Sequence, residues 1–382
     1  MTDLAYRLRL PGPTQVPARV RAASAQPMIS HRGHEFHALM RDVQAMLGPV
    51  FGAAGPILLF AASGTGMMEA ALANILGPGT RALIIANGQF GERFAAIARE
   101  FGGIVDTIAV PWGEAVDPAL VEARLRQHDY RAVVAVHNES STGVVTDLAA
   151  LGRITRNSGT LLVADTVSGI GGIPFEQDAW GVDIVIAAAH KALMCPPGLG
   201  LASLSAKAWE VVAHDGGVPR FYWDFRRCRD AAAKDETPFT PPVSLVMALA
   251  EALRMMSDEG MAQVLARHRR CAAALRSGAA AIGLENFTRT TSLSDTVSVF
   301  AVPPGLEGGD IVRHLYERHR TVIAGARNRL AGKVIRFGTM GEIRNDDILT
   351  DLTQLEETLA ALGHRFNRGA GTAAAAAVLG AP

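Results

Sequence analysis

Lys191 stands one residue beyond the apolar run VDIVIAAA at 182–189, with His190 between them. A lysine delivered into a cleft by a buried strand is costly unless it is paired, kept neutral or covalently engaged. Schiff-base chemistry needs the deprotonated amine that burial favours. The same context also suits a lysine that snorkels to the surface. Asp165 closes a second apolar run, TLLVAD at 160–165. A carboxylate there can pair with a protonated ring nitrogen or cap a turn. Ser63-Gly64-Thr65-Gly66 follows ILLFAA at 57–62 and opens a helical pattern. Glycine lets a ligand approach the backbone, and the free amides of a first helical turn bind phosphate. A plain capping turn would have the same composition. The segment is a partial G-x-G-x-x-G, but Glu69 stands in the third glycine's place and Asn87 where an acid would be needed. A nicotinamide site is therefore disfavoured. Arg336 lies in the apolar run KVIRFG. A buried guanidinium there can grip a carboxylate with two parallel hydrogen bonds, whether a substrate's or an internal partner's.

These residues need elements to position them. Apolar runs at 57–62, 81–87, 131–138, 160–165, 182–189 and 198–205 read as strands, with helices at 66–76, 90–102 and 147–157 between them. Runs apolar on both faces and alternating with helices predict a parallel sheet covered on both sides, an α/β doubly wound domain. Each of the first five strands ends in a polar cluster: Ser63–Gly66, Asn87–Phe90, His137–Thr142, Asp165, and His190-Lys191. In a parallel sheet all five lie along the carboxyl edge, where open α/β sheets bind ligands. A long helical pattern from Ser244 bridges to a second region. There a helix at 260–282, strands near 296–302 and 333–338, and helices near 308–319 and 346–362 predict a smaller α+β domain. The expected division is 1–20 as an N-terminal segment, 21–258 as the large domain, 259–365 as the small domain, and 366–382 as an Ala-rich tail with helix-favouring composition.

Composition narrows the functions. The chain has 382 residues, enough for two domains, and its 37 basic residues balance 37 acidic ones. Nothing pulls it globally toward nucleic acid or an anionic membrane. Cys195, Cys228 and Cys271 are odd in number and widely spaced, neither a disulfide framework nor a zinc site. His31, His34 and His37 lack the carboxylate or cysteine company of a metal site. No segment reads as a signal peptide, a membrane span or a C-terminal address, so a cytoplasmic protein is expected. Trp112, Trp223 and Cys195 read as packing residues.

SGTGMMEAAL, NGQFGERF, HNESSTGV, VADTVSGIGG, HKALMCPPGLG, TPPVSLVMALAEAL and KVIRFGTMG occur in this order, after PGPTQVP and SHRGHEF. Together they resemble the serial motifs of class V aminotransferases of the serine/alanine–glyoxylate branch, over nearly the whole chain. The resemblance implies the fold type I architecture of pyridoxal-phosphate enzymes and a homodimer with shared active sites. It implies that Lys191 holds the cofactor as a Schiff base and shuttles the substrate proton, and that Asp165 pairs with the pyridine nitrogen. Phe90 would stack on the ring and Ser140 would reach its phenolic oxygen. Gly64 and Thr65, with Ser63, would meet the phosphate, as would Thr240 from the partner subunit. His190 completes the cofactor set, and Arg336 would bind the substrate carboxylate. Two positions depart from the branch: His190 replaces its usual glutamine, and Thr237 stands where some members place a phosphate-binding tyrosine. The implied reaction moves an amino group from serine or alanine to glyoxylate or pyruvate. Ureidoglycine, aspartate or an aminophosphonate are alternative donors, and Arg32 and Arg327 are candidates for a second anion site or else surface arginines. A cysteine-desulfurase-like lyase would need a nucleophilic thiol on a small-domain loop, and no cysteine follows Cys271. A non-catalytic binding protein would have no need of Lys191, Asp165 and Arg336 together.

Overall fold

The computed structural model describes residues 6–214 and 218–380. Residues 1–5 and 381–382, on which the leader and address readings partly rest, lie outside the described residues. A seven-stranded sheet organises the larger part of the chain. Its strands are β1 (Ile57–Ala62), β2 (Arg81–Ala86), β3 (Ile104–Ala109), β4 (Ala132–Val136), β5 (Leu161–Asp165), β6 (Ile184–Ala188) and β7 (Gly198–Leu204). The spatial order is β1-β7-β6-β5-β4-β2-β3. All pairings are parallel except those of β7, which runs against both β1 and β6. The reason lies in the connection: β6 reaches β7 without a crossover helix, and a parallel return would need a dozen or more residues. Because β7 alone is reversed, β1, β2, β4, β5 and β6 all end on one edge, as the sequence predicts.

Two apolar layers cover the sheet. One is built around Phe36, Met40, Val43 and Leu47 of α2 (His34–Phe51), with Val246, Leu249 and Leu253 of α5 (Val243–Glu259) and α1 (Ala18–Ser24) beside it. The other is built around Met67, Met68 and Leu72 of α3 (Gly64–Ala73) and Phe94, Ile97 and Ala98 of α4 (Gln89–Glu100). Strand β3 is the half-exposed edge of the sheet. Its Asp106 faces outward, paired with Arg81 at 2.8 Å and bonded by Tyr130 at 2.7 Å.

After α5 the chain enters α6 (Met261–Ala281) and a three-stranded antiparallel sheet, β8 (Val297–Ala301), β9 (Ala324–Gly325) and β10 (Val334–Gly338), ordered β8-β10-β9. The helix α7 (Asn345–Ala361) closes a third apolar cluster with Leu275, Phe300, Phe337 and Leu352. The Ala-rich tail forms α8 (Ala370–Leu379), packed on α6 and α7. The buried Glu356 carboxylate caps its start, accepting from Gly371 N at 2.9 Å and Thr372 N at 3.2 Å. A Cβ on Gly278 would stand 2.7 Å from the Gly371 carbonyl, so glycine permits the close approach of α6 and α8.

The N-terminal segment spans both parts. Arg7–Leu8 pairs in parallel with Thr321–Val322, and Gly338 N donates to Arg9 O at 2.7 Å. Residues 11–14 then cross to the large sheet, where Thr14 Oγ1 donates to the Lys191 carbonyl at 2.9 Å. Among the described residues, no helix is long and apolar enough to cross a membrane.

Candidate active site

A cleft of about 220 Å³ opens at the carboxyl edge of the large sheet. Ser63, Gly64, Thr65, Phe90, Ser140, Asp165, His190 and Lys191 all line it, so five strand ends converge there. Asn138, Ser168, Val167 and Arg93 line it too. Two expected residues stand apart. Thr240 lies on a separate groove with Tyr222, Thr237 and Phe239. Arg336 lies behind the cleft wall and reaches it through the Ser140 carbonyl, to which Nη1 donates at 3.0 Å.

Lys191 is 9% exposed. Its Nζ donates to the Pro11 carbonyl, and no carboxylate lies within ion-pair distance among the described residues. Burial is the main force on its amine, bringing it down from about 10.5 to about 8. Asp165 opposes this and Arg336 adds to it. Gly12 covers the lysine at φ +124°, and a Cβ there would overlap Cδ, Cε and Nζ. Only glycine can take this conformation at this approach.

Asp165 is buried at the end of β5 and accepts from Val167 N at 2.8 Å. Burial pushes its carboxyl up to about 7, opposed first by the Val167 N–H bond, with a smaller push from Glu139 and opposing pulls from Lys191 and Arg93. This carboxylate lacks a cationic partner within ion-pair distance, and a protonated ring nitrogen would supply one. His190 is driven down to about 4 by burial, then by Lys191. It is neutral at pH 7, and its Nδ1 is buried without a partner.

Phe90 sits in the first turn of α4, and its placement depends on Glu139. That fully buried carboxylate accepts from Phe90 N at 3.0 Å, Gly91 N at 3.2 Å and Ser141 N at 3.1 Å. Burial raises it, and these bonds oppose the shift. Arg336 donates to Gly325 O from Nε at 3.0 Å and Nη2 at 2.7 Å. It has no carboxylate partner among the described residues, and burial lowers its guanidinium.

Sequence reading did not single out Glu139, Asn138 or Arg93. Glu139 and Asn138 lie inside the quoted cluster HNESST, but only the fold shows that Glu139 faces a helix start. Arg93 looks like an ordinary helix-surface charge until α4 is docked. Asn138 donates to Ser168 Oγ at 2.9 Å and Thr296 Oγ1 at 2.8 Å, tying the cleft to the segment before β8. Of the second-anion candidates, Arg32 is ion-paired to Glu236 and bonds Thr237 O at 2.9 Å. Arg327 is exposed two residues beyond Gly325. His37 contacts Glu236 at 3.2 Å, and no metal-holding group of three His, Cys, Asp or Glu occurs among the described residues. Cys195, Cys228 and Cys271 are all buried, and burial raises each thiol, Cys228 to about 12 and Cys271 to about 11.

Residues 14–338 match the family described as aminotransferase class V. The chain is 38% identical over 97% of its length to a protein of Anabaena cylindrica named as a soluble hydrogenase 42 kDa subunit, covering 98% of it. It is 35% identical over 96% of its length to the L-aspartate–glyoxylate aminotransferase of Paracoccus denitrificans, covering 94% of that protein. It is 34% identical over 97% of its length to the serine–glyoxylate aminotransferase of Methylorubrum extorquens, covering 95% of that one. Among solved structures, ureidoglycine–glyoxylate aminotransferase of Bacillus subtilis superposes with a TM-score of 0.93 at 28% identity, over 98% of both chains.

Proposed function

The chain belongs to the class V aminotransferases, and we propose that it moves the amino group of serine or alanine to glyoxylate or pyruvate at the cleft built around Lys191. The family's cofactor is pyridoxal phosphate, which supplies a carbonyl carbon for amines to add to and a ring that takes up electrons from the substrate's α-carbon. The observation that carries the reading is the juxtaposition of a buried amine at about 8 and a buried carboxyl at about 7 on neighbouring strand ends of one cleft. Neither has an ion-pair partner among the described residues, and the cofactor's functional groups complement both.

In this reading Lys191 Nζ would hold the cofactor at its carbonyl carbon. When free, the same amine would take the donor's α-proton and pass it on within that half-reaction, and in the acceptor half-reaction it would deliver a proton to the acceptor's α-carbon. Asp165 holds the ring nitrogen's proton in place. Phe90, fixed by Glu139, offers a flat apolar face to the ring, and Ser140 meets its phenolic side. Ser63, Gly64 and Thr65 offer hydroxyls and first-turn amides to the phosphate, and His190 packs beside Lys191 as a neutral ring. Arg336 takes the substrate carboxylate, exchanging its carbonyl contacts for a charge-assisted pair.

A homodimer belongs to the same proposal. Thr240 lies away from the cleft of its own chain, on a groove rimmed by exposed Tyr222 and close to exposed Phe221, which fits a contact made in the partner's site. The cysteine content fits a cytoplasmic setting. Two relatives named for other donors, aspartate and ureidoglycine, make the donor the point to test. The desulfurase-like alternative is disfavoured by three buried thiols held in the unreactive form.

Initial rates with glyoxylate and a panel of amino donors decide between these. Serine or alanine should lead the panel with ping-pong kinetics. Faster turnover with aspartate or ureidoglycine would replace the donor, and release of sulfide from cysteine would replace the reaction.

A further inference from the structure

We propose that Arg93 is a phosphate-binding residue of the cofactor site, supplying within one protomer the positive charge that the cleft otherwise lacks. The proposal rests on the reading of the cleft as a pyridoxal-phosphate site. A phosphate ester carries about −1.5 to −2 charge at neutral pH. Hydroxyls and first-turn amides can donate to its oxygens, but they hold only partial charge. The cleft-lining side chains include two formal cations, Lys191 and Arg93. Lys191 is committed to the cofactor's carbonyl carbon, and His190 is neutral, so the remaining charge is the Arg93 guanidinium.

Its geometry suits the task. Arg93 lies on the first turns of α4, one turn beyond Phe90, and its guanidinium stands 4.7 Å from the Phe90 ring centre. Nη1 donates to Thr65 Oγ1 at 2.9 Å, which places it beside the α3 start that would meet the phosphate. Arg93 has no carboxylate partner among the described residues, whereas many of the arginines in the structure are paired to an acid. A planar fork with unused N–H groups, half-buried beside a hydroxyl and a helix start, is suited to a phosphate oxygen pair. The position also answers the departure at Thr237. Thr237 is buried, its hydroxyl donates to the Phe239 carbonyl at 2.7 Å, and it offers no long phenolic donor. Arg93 supplies from inside the protomer what a tyrosine would bring.

The experiment titrates the full-length apoprotein with pyridoxal phosphate and, separately, with pyridoxal, which has the same aldehyde and no phosphate. Wild type, Arg93→Gln and Arg93→Lys are compared by the visible absorbance of the bound cofactor, with thermal unfolding as a check on folding. Arg93→Gln should weaken pyridoxal phosphate about tenfold to a hundredfold, the usual range for a lost charged hydrogen bond. Pyridoxal binding should be unchanged, and Arg93→Lys should recover part of the loss. Inorganic phosphate should compete with pyridoxal phosphate in the wild type and lose that effect in Arg93→Gln. Unchanged pyridoxal phosphate affinity would overturn the proposal. So would an equal loss for both compounds, which would mean that Arg93 acts by holding Phe90 and Thr65. A wild type that captures neither compound would overturn the cofactor reading itself, a result distinct from either.

Discussion

Burial brings Lys191 down to about 8 because it penalises the cation more than the Asp165 carboxylate favours it. The neutral amine is the form that attacks a carbonyl, and its fraction grows as pH rises through that value. Capture of pyridoxal phosphate by the apoprotein should therefore accelerate from pH 7 to 9 with an inflection near 8. Stopped-flow absorbance reads this directly, and an inflection near the ordinary lysine value of about 10.4 would show that the amine is solvated. The depressed value also bears on stability. Between the folded value and the ordinary one the unfolded chain binds more protons, so this group's contribution to stability rises with pH over that window. At this scale Lys191, Asp165 and the Ser63–Gly66 turn were legible because a polar residue ending an apolar run is conspicuous. Glu139 and Arg93 were not, because their partners, the first turn of α4 and Thr65, lie far away in sequence.

At the scale of elements, the helix α4 is an arm that carries Phe90 into the cleft, and Glu139 fixes its start. Replacing Glu139 by Gln keeps the shape but turns a donor group toward backbone N–H donors. Leaving such groups unsatisfied costs about 1–3 kcal/mol. Urea unfolding should show that loss, and the circular dichroism of the bound cofactor should change as Phe90 moves. Equal stability with an unchanged cofactor signal would remove Glu139 from the positioning role. The buried strands β1, β2, β4, β5 and β6 were plain in the sequence, since both faces are covered and the runs are uniformly apolar. Strand β3 was missed because an exposed edge tolerates Asp106 and Thr107. The helix α2 was missed although Phe36, Met40, Val43, Leu47 and Val50 repeat at helical spacing; Gly48 and Pro49 interrupt the pattern in its last turn. The reversed direction of β7 follows from the missing crossover helix, a signal present in the sequence as a short connection.

At the scale of the whole molecule, the N-terminal segment links the two parts of the chain to the lysine. Arg7 and Arg9 bond Asp351 at 2.7 and 2.8 Å, and Asp351 is 1% exposed. A few residues later the Pro11 carbonyl holds Lys191 Nζ. Asp351→Ala leaves buried Arg9 with Asp347 as its remaining carboxylate partner, so the expected loss lies between about 1 kcal/mol and the about 3–5 kcal/mol of a fully stranded buried charge. It should also speed release of the cofactor, because the strand that covers Lys191 is anchored there. A loss below about 1 kcal/mol, the range of exposed pairs, would show that the anchor is ornamental to the fold. The tail could not be assigned from composition alone, since alanine favours helix without indicating what the helix packs on. The Glu356 cap and the Gly278–Gly371 approach make it part of the C-terminal core.

The central claim is that Lys191 and its cleft carry out transamination on pyridoxal phosphate. Its most direct test is the visible spectrum of the purified protein before and after adding serine or alanine without a 2-oxo acid. The account predicts a yellow band from the lysine-bound cofactor that bleaches on adding the amino acid, returns with glyoxylate, and is absent in Lys191→Ala under the same conditions. A colourless wild-type protein that cannot take up pyridoxal phosphate, or a Lys191→Ala variant with near-normal turnover, would contradict it.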